Sequence, residues 1–444
     1  MHNLVEGSAL LVIDYNLSRI DDVKALFQYA KNRYGYTTVL IRDNPSSLDY
    51  DMADCVINAD PLSSQFVHEA ILGLNKLPYF IACGLVFSDN AVQSGATLLN
   101  TLGVYVDSPT LAVNAFCKEA YRQEESNIRA LLEGQGMWVP SYKRIANKRE
   151  LEEFVAASPG GVVVKPTKEG NNRGVVMIES PTLDSINAAM EEVGPYLENG
   201  VIVEQRIPFT SEYSFDGIGA QQFITQKFTA RGTFPVEYGQ LVPAEINAQR
   251  ANKIKTAGNI ANIICGQRNG PFHNEVRVAD DNGTMAVVEP NRRPAGMKIW
   301  ELAARVYGQN FYHRWIDSLH DDDLGVETLS AQGAAMLFQL PSSEQIRHRV
   351  TENEVEQIFR LFFCDLEAFF IERDLEIVLD EVQLKVSPNE HLRYPPRDNA
   401  DFYGWARFYF PRAHHGISQY FWTMQLMWGQ VVNQYLNADI TEVV

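Results

Sequence analysis

The sequence contains few cysteines, no long apolar run and no repetitive segment. Its five cysteines are scattered, without a CxxC pair or the Cys/His spacing of a metal site. This distribution argues against a disulfide scaffold or a zinc module and indicates reduced core thiols. No apolar run approaches the roughly 20 residues of a membrane-spanning helix, and the N-terminus has no basic segment before an apolar one. We therefore expect a cytoplasmic protein with no membrane partner.

Positive charge is also scarce. The chain has 38 lysines and arginines against 56 aspartates and glutamates, a formal net charge of −18. Such a field opposes binding to nucleic acids and anionic membranes, so neither is an expected partner. If the ligand is itself an anion such as ATP, the basic residues near it must act locally, together with metal ions. Basic residues inside motifs are therefore informative.

Short apolar runs alternate with helical patterns in the first part of the chain, which predicts a parallel sheet with helices on its faces. The turn after the first run, residues 14–18, contains no glycine. This absence argues against an NAD- or FAD-binding domain, because the phosphate-binding turn of such domains is glycine-rich. The predicted strands are 8–13, 37–41, 55–57, 79–85 and 104–107, with helices over 63–75 and 90–102 and a helical face at 23–30.

After a helical stretch from Asn114 to Gly134, the pattern changes to short strands and fewer helices. Together the patterns predict an α/β protein with a parallel-sheet domain, a pair of α+β domains and a C-terminal α+β region. The predicted divisions are 1–113 (Rossmann-like), 114–150 (helical connection), 151–220, 221–340 and 341–444. Within them we expect strands at 161–165, 174–178, 200–205, 212–217, 222–230, 274–279 and 285–289, helices at 182–193, 298–306 and 353–371, and a buried strand or hairpin at 402–410.

The first segment with a chemical signal is 161–175, a buried apolar strand that ends in Lys165 and a polar loop with glycines. Such a loop offers backbone N–H groups and flexibility, which suit a lid over a polyphosphate. An ordinary hairpin with an edge lysine would show the same pattern.

The second segment is an apolar strand that ends in Glu204 and Gln205. A surface acid at a strand end is the more common meaning of this pattern. In the functional interpretation, the backbone and Glu204 recognise the edge of an adenine, Ile207 packs on its face and Glu212 holds ribose hydroxyls.

The third segment carries the strongest signal. Glu275 follows HN in a strand pattern, and fourteen residues later a buried strand ends in Glu289, followed by Asn291 and Arg293. Two adjacent strands can aim both carboxylates at one point. Two glutamates and an asparagine oxygen are hard ligands suited to Mg²⁺. Arg293 adds a planar fork that can hold a carboxylate or stabilise a transferring phosphoryl group.

Taken in order, these segments resemble the ATP-grasp superfamily, most closely its carboxylate:amine ligases such as bacterial L-amino acid ligases. The resemblance spans roughly residues 1–345. The sequence also departs from the family's pattern, since Arg292 replaces the usual proline beside Asn291 and Ala295 replaces a glycine. The motifs that carry the resemblance are VVVKP at Lys165, VIVEQ at Glu204, GPFHNEV at Glu275, EPNRRPAG at Glu289 and the following helix ELAARVYG, whereas the loop KEGNNRG has less glycine than its counterparts.

The resemblance implies roles for individual residues. Residues 151–220 would form the ATP-grasp lid and 221–340 the catalytic subdomain. Lys118, with Arg122 in a K-x-x-x-R pattern, would be a second lysine on ATP beside Lys165. The loop residues Gly170 and Asn172 would contact the phosphates. The implied cofactors are ATP and Mg²⁺, with Mn²⁺ as an alternative metal.

The implied activity is ADP-forming ligation, in which a carboxylate becomes an acyl phosphate that an amine attacks. Arg293 would orient the carboxylate, and Lys165 would neutralise phosphate charge. The expected substrates are a small-molecule carboxylate and an amine, both amino-acid-like. By analogy we also expect a second copy of the chain as partner in a homodimer. Two alternatives stay open: an ATP-grasp carboxylase or formate-dependent transformylase, and a catalytically silent nucleotide-binding subunit.

Overall fold

The computed structural model describes residues 7–170, 172–230, 232–280, 283–320, 329–343, 350–385, 392–412 and 416–441. None of the helices in these ranges combines the length and the apolarity needed to cross a membrane.

The N-terminal domain contains the predicted parallel sheet, which has four strands in the order β3-β2-β1-β4. Its central strand, β1, is almost wholly buried because helices cover both faces of the sheet. The strands are β1 (Ser8–Ile13), β2 (Thr37–Arg42), β3 (Cys55–Asn58) and β4 (Phe80–Val86), and the helices are α1 (Ile20–Tyr34), α2 (Ser47–Met52), α3 (Phe66–Leu74) and α4 (Val92–Thr101).

The predicted strand at 104–107 is wrong, because this segment makes no sheet pairing. Its polar groups bond to a distant loop instead. The carboxylate of Asp107 accepts hydrogen bonds from the backbone N–H groups of Arg268 and Asn269, at 2.8 and 2.9 Å. The carbonyl of Tyr105 accepts one from the Asn269 side chain. The segment thus ties the N-terminal domain to the rest of the chain.

The predicted helical connection, residues 114–150, is helical mainly in its first part, as α5 (Lys118–Asn127) and α6 (Arg129–Gly134), which are separated at Ile128. Its second part contains strand β5 (Tyr142–Ile145). A four-stranded antiparallel sheet follows, in the order β5-β8-β6-β7, and we call it the lid sheet. Its strands are β5 (Tyr142–Ile145), β6 (Val162–Pro166), β7 (Val176–Ile178) and β8 (Val201–Gln205), and α7 (Lys148–Ala156) and α8 (Leu183–Val193) pack on it.

An eight-stranded antiparallel sheet forms the rest of the framework, in the order β13-β12-β9-β10-β11-β14-β16-β15. It joins the predicted catalytic and C-terminal regions in one sheet. Its strands are β9 (Ser211–Ile218), β10 (Gln221–Thr229), β11 (Glu237–Val242), β12 (Pro271–Val278), β13 (Met285–Asn291), β14 (Gly333–Pro341), β15 (Val378–Leu384) and β16 (Phe402–Pro411). The helices are α9 (Ala248–Ile264), α10 (Ile299–Tyr307), α11 (Phe311–Ser318), α12 (Glu352–Ile371) and α13 (Phe421–Thr441).

The order of elements confirms the predicted fold class. The boundaries between subdomains stay predictions. For the end of the lid, which was predicted at residue 220, the sheet pairing favours an earlier position. Because β9 pairs with β10 and β12 in the large sheet, we propose that the lid ends near Arg206.

Candidate active site

The two predicted metal-binding carboxylates lie directly opposite each other. Strands β12 and β13 are antiparallel, with Glu275 paired with Glu289 and His273 with Asn291. The side-chain amide of Asn291 donates to the carbonyl of His273 at 3.2 Å, which leaves the amide oxygen as the atom available to a cation. The sheet register therefore brings the three oxygen-bearing side chains to the same end of two strands.

Each of these carboxylates has a lysine beside it. The ammonium of Lys227 lies 2.5 Å from Glu275, and that of Lys118 lies 3.0 Å from Glu289 and 2.6 Å from the carbonyl of Glu169. Although burial opposes ionisation, Lys227 and His273 hold the pKa of Glu275 well below its usual range. Cations and anions thus alternate at the point where a metal and a polyphosphate would meet.

His273 is part of the same network. Its Nδ1 lies 2.6 Å from the carboxylate of Asp216, and its Nε2 lies 3.5 Å from Glu275. Burial lowers its pKa, but the charge and hydrogen bond of Asp216, together with the hydrogen bond to Glu275, outweigh burial and raise the pKa to about 9. A protonated His273 therefore adds a second positive charge beside Glu275.

Lys227 is a site residue that the sequence analysis missed. It lies on β10, which was predicted only as a strand, and it is buried between three carboxylates. Besides Glu275, its ammonium lies 3.3 Å from Glu237 and 3.8 Å from Glu212. Burial raises the pKa of Glu237 to about 7, against the attraction of Lys227. A lysine inside an apolar strand pattern was the signal that could have identified this site.

Lys165 and Glu204, predicted as separate contacts to ATP, bond to each other. Lys165 lies 2.5 Å from Glu204, whose other oxygen accepts from Arg122 at 2.7 Å. Burial opposes the ionisation of Glu204, but Arg122 and Lys165 lower its pKa to about 2. Arg122 also donates to the carbonyls of Val287 and Val288, which fixes β13. The Glu204 carboxylate is thus engaged in a buried ionic cluster that joins α5, the lid sheet and the large sheet.

Three other residues that were predicted to contact the nucleotide, Glu212, Asn172 and Gln205, each have a different bonding partner. Glu212 accepts two hydrogen bonds from Arg277, at 2.9 and 2.7 Å. Asn172, with a φ of 60°, donates to the carbonyl of Pro235 and so ties the lid loop to the loop before β11. Gln205 accepts a hydrogen bond from the backbone N–H of Ser141 at 3.1 Å.

A cavity of 160 Å³, which we call the inner cavity, lies between the lid sheet and the eight-stranded sheet. It continues into an outer cavity of 440 Å³, where Asn16, Asp89 and Asn90 from the N-terminal domain form part of the wall. Both cavities share Lys118, Lys165, Glu289 and Asn291 among their lining residues. The predicted site residues that line the inner cavity are Lys118, Lys165, Gly170, Asn172, Glu204, Ile207, Glu212, Glu275, Glu289, Asn291 and Arg293.

Two consecutive arginines after Asn291 fix the surrounding loops. Arg293 lies 2.6 Å from Asp89 at the end of the parallel sheet. Arg292 is buried, lies 2.6 Å from Asp107 and donates to the carbonyls of Pro271 and Asn269. The arginine in place of the usual proline therefore holds the N-terminal domain against the strand end that carries Glu289.

The side chains present fit a divalent cation that shares its coordination with phosphate. Within the described ranges, no group of three or more His, Cys, Asp or Glu side chains forms a closed metal cage. Glu275, Glu289 and Asn291 would instead supply a partial set of oxygen ligands. Mg²⁺ is commonly bound in this way, through one or two carboxylates with substrate phosphates and waters in the remaining positions.

Residues 158–301 match the model of the ATP-grasp domain. The matched segment includes β6, the hairpin loop, Glu204 and the strands β12 and β13. The chain therefore contains an ATP-grasp domain, and the predicted resemblance to the ATP-grasp superfamily is confirmed. The sequence matches none of the curated proteins.

Solved structures share the fold over nearly the whole chain. An L-amino acid ligase from Bacillus licheniformis is 17% identical at a TM-score of 0.68, over 95% of this chain and 97% of that one. An N5-carboxyaminoimidazole synthase from Aspergillus clavatus, in complex with ADP, is 10% identical at 0.63, over 96% and 99%. A phosphoribosylglycinamide synthetase from Anaerococcus prevotii is 13% identical at 0.58, over 95% and 98%. At these identities the similarity establishes the fold, and the substrate must be argued from the site.

Proposed function

We propose that the protein is an ATP-dependent, ADP-forming carboxylate:amine ligase that makes an amide or peptide bond through an acyl phosphate on amino-acid-like substrates. The observation that carries this proposal is the opposed pair Glu275 and Glu289, with Asn291 beside them and lysines around them, in a cavity under a lid sheet. This arrangement suits the transfer of a phosphoryl group, which depends on positioning and charge neutralisation.

The nucleotide occupies the inner cavity in this proposal. Val163, Met177 and Ile207 line it and offer apolar surface to the faces of a base. Because the Glu204 carboxylate is held by Lys165 and Arg122, recognition of the base edge falls to the backbone of the strand end rather than to that carboxylate.

The cations of the site act on the phosphates. Lys118, Lys165 and Lys227 line the inner cavity and would neutralise phosphate oxygens, which frees Glu275 and Glu289 from their lysine partners. Glu275, Glu289 and Asn291 would then hold Mg²⁺ or Mn²⁺, which supplies charge neutralisation at the transferring phosphoryl group when bound.

Arg293 lies where it can bind the reacting carboxylate, because it lines the inner cavity and is oriented by Asp89. An oxygen of that carboxylate attacks the γ-phosphorus, the bond to the β-phosphate bridging oxygen breaks, and ADP leaves. The amine then attacks the acyl carbon, loses a proton and expels phosphate. The lid loop around Gly170 and Asn172 excludes water from the acyl phosphate.

The first experiment measures the nucleotide products. The purified protein is incubated with ATP, Mg²⁺ and amino acids singly and in pairs, and ADP, AMP and phosphate are quantified. We expect ADP and phosphate only when an acid substrate is present. AMP and pyrophosphate would contradict the acyl phosphate route, and ADP that depends on bicarbonate or formate would favour the carboxylase or transformylase alternative. No turnover with any mixture would favour a silent nucleotide-binding subunit.

A further inference from the structure

A third cavity adjoins the proposed reaction centre on the side of the C-terminal strands. It has a volume of 490 Å³ and shares Arg293, Gly296, Met297 and Asn399 with the inner cavity. Its lining contains five basic residues and one acidic residue, in a chain that has 38 basic and 56 acidic residues overall. We call it the basic cavity, after its residues Arg19, Arg173, Arg293, Lys298 and Lys385.

The carboxylate partners of these basic residues lie outside the basic cavity. Arg19 pairs with Asp22, Arg173 with Glu169, Arg293 with Asp89 and Lys298 with Glu301, and none of these four acids lines it. Lys385 has no ion-pair partner within the described ranges. The acidic lining residue, Asp398, accepts a hydrogen bond from the backbone N–H of Ala400 at 2.7 Å. The charged side chains that line the basic cavity are therefore mainly basic, and the carboxylates that pair with four of them lie behind its wall.

Lys298, which lines the basic cavity, has an unfavourable backbone conformation. Met297 and Lys298 have φ values of 48° and 59°, a left-handed conformation that non-glycine residues rarely adopt. Such strain is found most often at functional sites, where the surrounding structure imposes it. Although burial opposes its charge, Glu301 at 3.2 Å raises the pKa of Lys298, so the ammonium stays protonated at neutral pH.

The opposite side of the basic cavity is a row of side chains from three adjacent strands. Trp405 on β16 lies opposite Gln339 on β14 and Gln383 on β15. All three line the cavity. The indole offers apolar surface to a carbon chain, and the amide groups can donate hydrogen bonds to an anion. A short acid with a charged far end fits this combination.

We propose that the acid substrate carries a second anionic group and that the basic cavity binds it. The reacting carboxylate lies at Arg293, the carbon chain lies on Trp405, and the second anionic group lies between Lys298 and Lys385. This inference rests on the proposed ligase function and specifies its acid substrate. A second carboxylate and a phosphonate or phosphate share the required chemistry, and the experiment distinguishes them.

The test uses acids that differ only in the charge of the far end. Dicarboxylic amino acids of increasing length, including glutamate, are each compared with their monoamides, such as glutamine, and with a phosphonate of matched length. ATP, Mg²⁺ and hydroxylamine are supplied, because hydroxylamine converts an acyl phosphate into a hydroxamate and removes any dependence on the amine substrate. We expect hydroxamate and ADP with a kcat/KM at least about tenfold higher for a charged acid than for its monoamide, the size of one charge-assisted hydrogen bond.

Variants locate the effect. Lys298→Met and Lys385→Met are expected to raise KM for the preferred charged acid about tenfold each while leaving KM for its monoamide unchanged. Lys76→Met, at an exposed lysine outside all of these cavities, serves as the control and should change neither value.

The outcomes separate the inference from the ligase proposal. A preference for a monoamide over its charged counterpart overturns the inference and leaves the ligase function standing. Equal KM increases for charged and neutral acids in both lysine variants also overturn it, because they indicate a structural role. Activity with the phosphonate above that with the dicarboxylate supports the inference and identifies the second group as phosphate-like. No hydroxamate and no ADP with any acid overturns both proposals.

Discussion

Glu204 stabilises the protein through two buried ion pairs, with Arg122 and Lys165. Removing one partner of such a cluster leaves buried charge without compensation. We expect Glu204→Gln to lower the free energy of unfolding by about 3–5 kcal/mol at pH 7, measured by urea denaturation. Glu198→Gln, at an exposed glutamate of the same region, should change it by less than about 0.5 kcal/mol. A Glu204 variant as stable as the wild type would contradict the buried cluster.

The same residue predicts a pH dependence of stability. Because the pKa of Glu204 falls from 4.5 to about 2 on folding, its contribution is fully present above pH 4.5 and is lost as the pH falls through 2. The stability difference between the wild type and Glu204→Gln should therefore shrink by about 3 kcal/mol from pH 5 to pH 2. Denaturation curves of both proteins at several pH values measure it, and a difference that stays constant with pH would refute the assignment.

Lys227 is the cation shared by Glu212, Glu237 and Glu275. We expect Lys227→Met to reduce the rate of ADP formation by about 100-fold or more, since the transferring phosphoryl group loses a fixed positive charge. Lys227→Arg keeps the charge and should retain the fold. Lys143→Met, at an exposed lysine of β5, is the control. Circular dichroism checks that a loss of activity is not a loss of structure, and a folded Lys227→Met variant with normal turnover would exclude this role.

At the scale of elements, short apolar runs and local periodicity predicted most strands and several helices, because each of them buries one or both faces in a core. The partners of the site residues could not be predicted in the same way. Lys227 and Glu275 are 48 positions apart in sequence. Their strands, β10 and β12, are brought close because both pair with β9 in the sheet. The sequence placed Glu275, Glu289 and Asn291 together because two strands joined by a short connection carry all three. The predicted strand at 104–107 was wrong because a short apolar run does not show whether a neighbouring strand is available for pairing.

Arg292 and Asp107 join two elements that are far apart in sequence. We expect Asp107→Asn to lower the free energy of unfolding by about 3–5 kcal/mol, because the buried Arg292 loses its carboxylate partner. Thermal and urea denaturation measure the effect. Asp51→Asn, at an exposed aspartate of the same domain, should be close to neutral. An equally small effect of both substitutions would show that the ion pair does not hold the N-terminal domain in place.

The lid hairpin between β6 and β7 depends on Gly174. Its φ is 68°, and a Cβ there would lie 2.7 Å from the Tyr196 ring and 2.9 Å from Pro166. We expect Gly174→Ala to destabilise the hairpin by about 1–2 kcal/mol and to raise KM for ATP. Gly160→Ala, where a Cβ meets nothing within 4 Å, is the matched control. Steady-state kinetics with varied ATP measure the effect, and an unchanged KM for ATP would show that this loop does not contact the nucleotide.

At the scale of the whole molecule, the site is assembled from three parts of the chain. The lid sheet contributes Lys165, the large sheet contributes both carboxylates, and the N-terminal domain contributes Asp89 to orient Arg293. A net charge of −18 surrounds cavities whose basic residues are concentrated where phosphates and carboxylates would bind. The arrangement combines general electrostatic repulsion of anions with local sites that attract them.

In the proposed reaction the acid substrate is activated as an acyl phosphate, and the transfer of an oxygen isotope tests this activation. The acid substrate is labelled with ¹⁸O in its carboxylate, turned over with ATP and an amine, and the phosphate released is analysed by mass spectrometry. The account predicts that each phosphate carries one ¹⁸O from the carboxylate and that Glu289→Gln abolishes this transfer. Unlabelled phosphate, or ¹⁸O found in AMP, would contradict it.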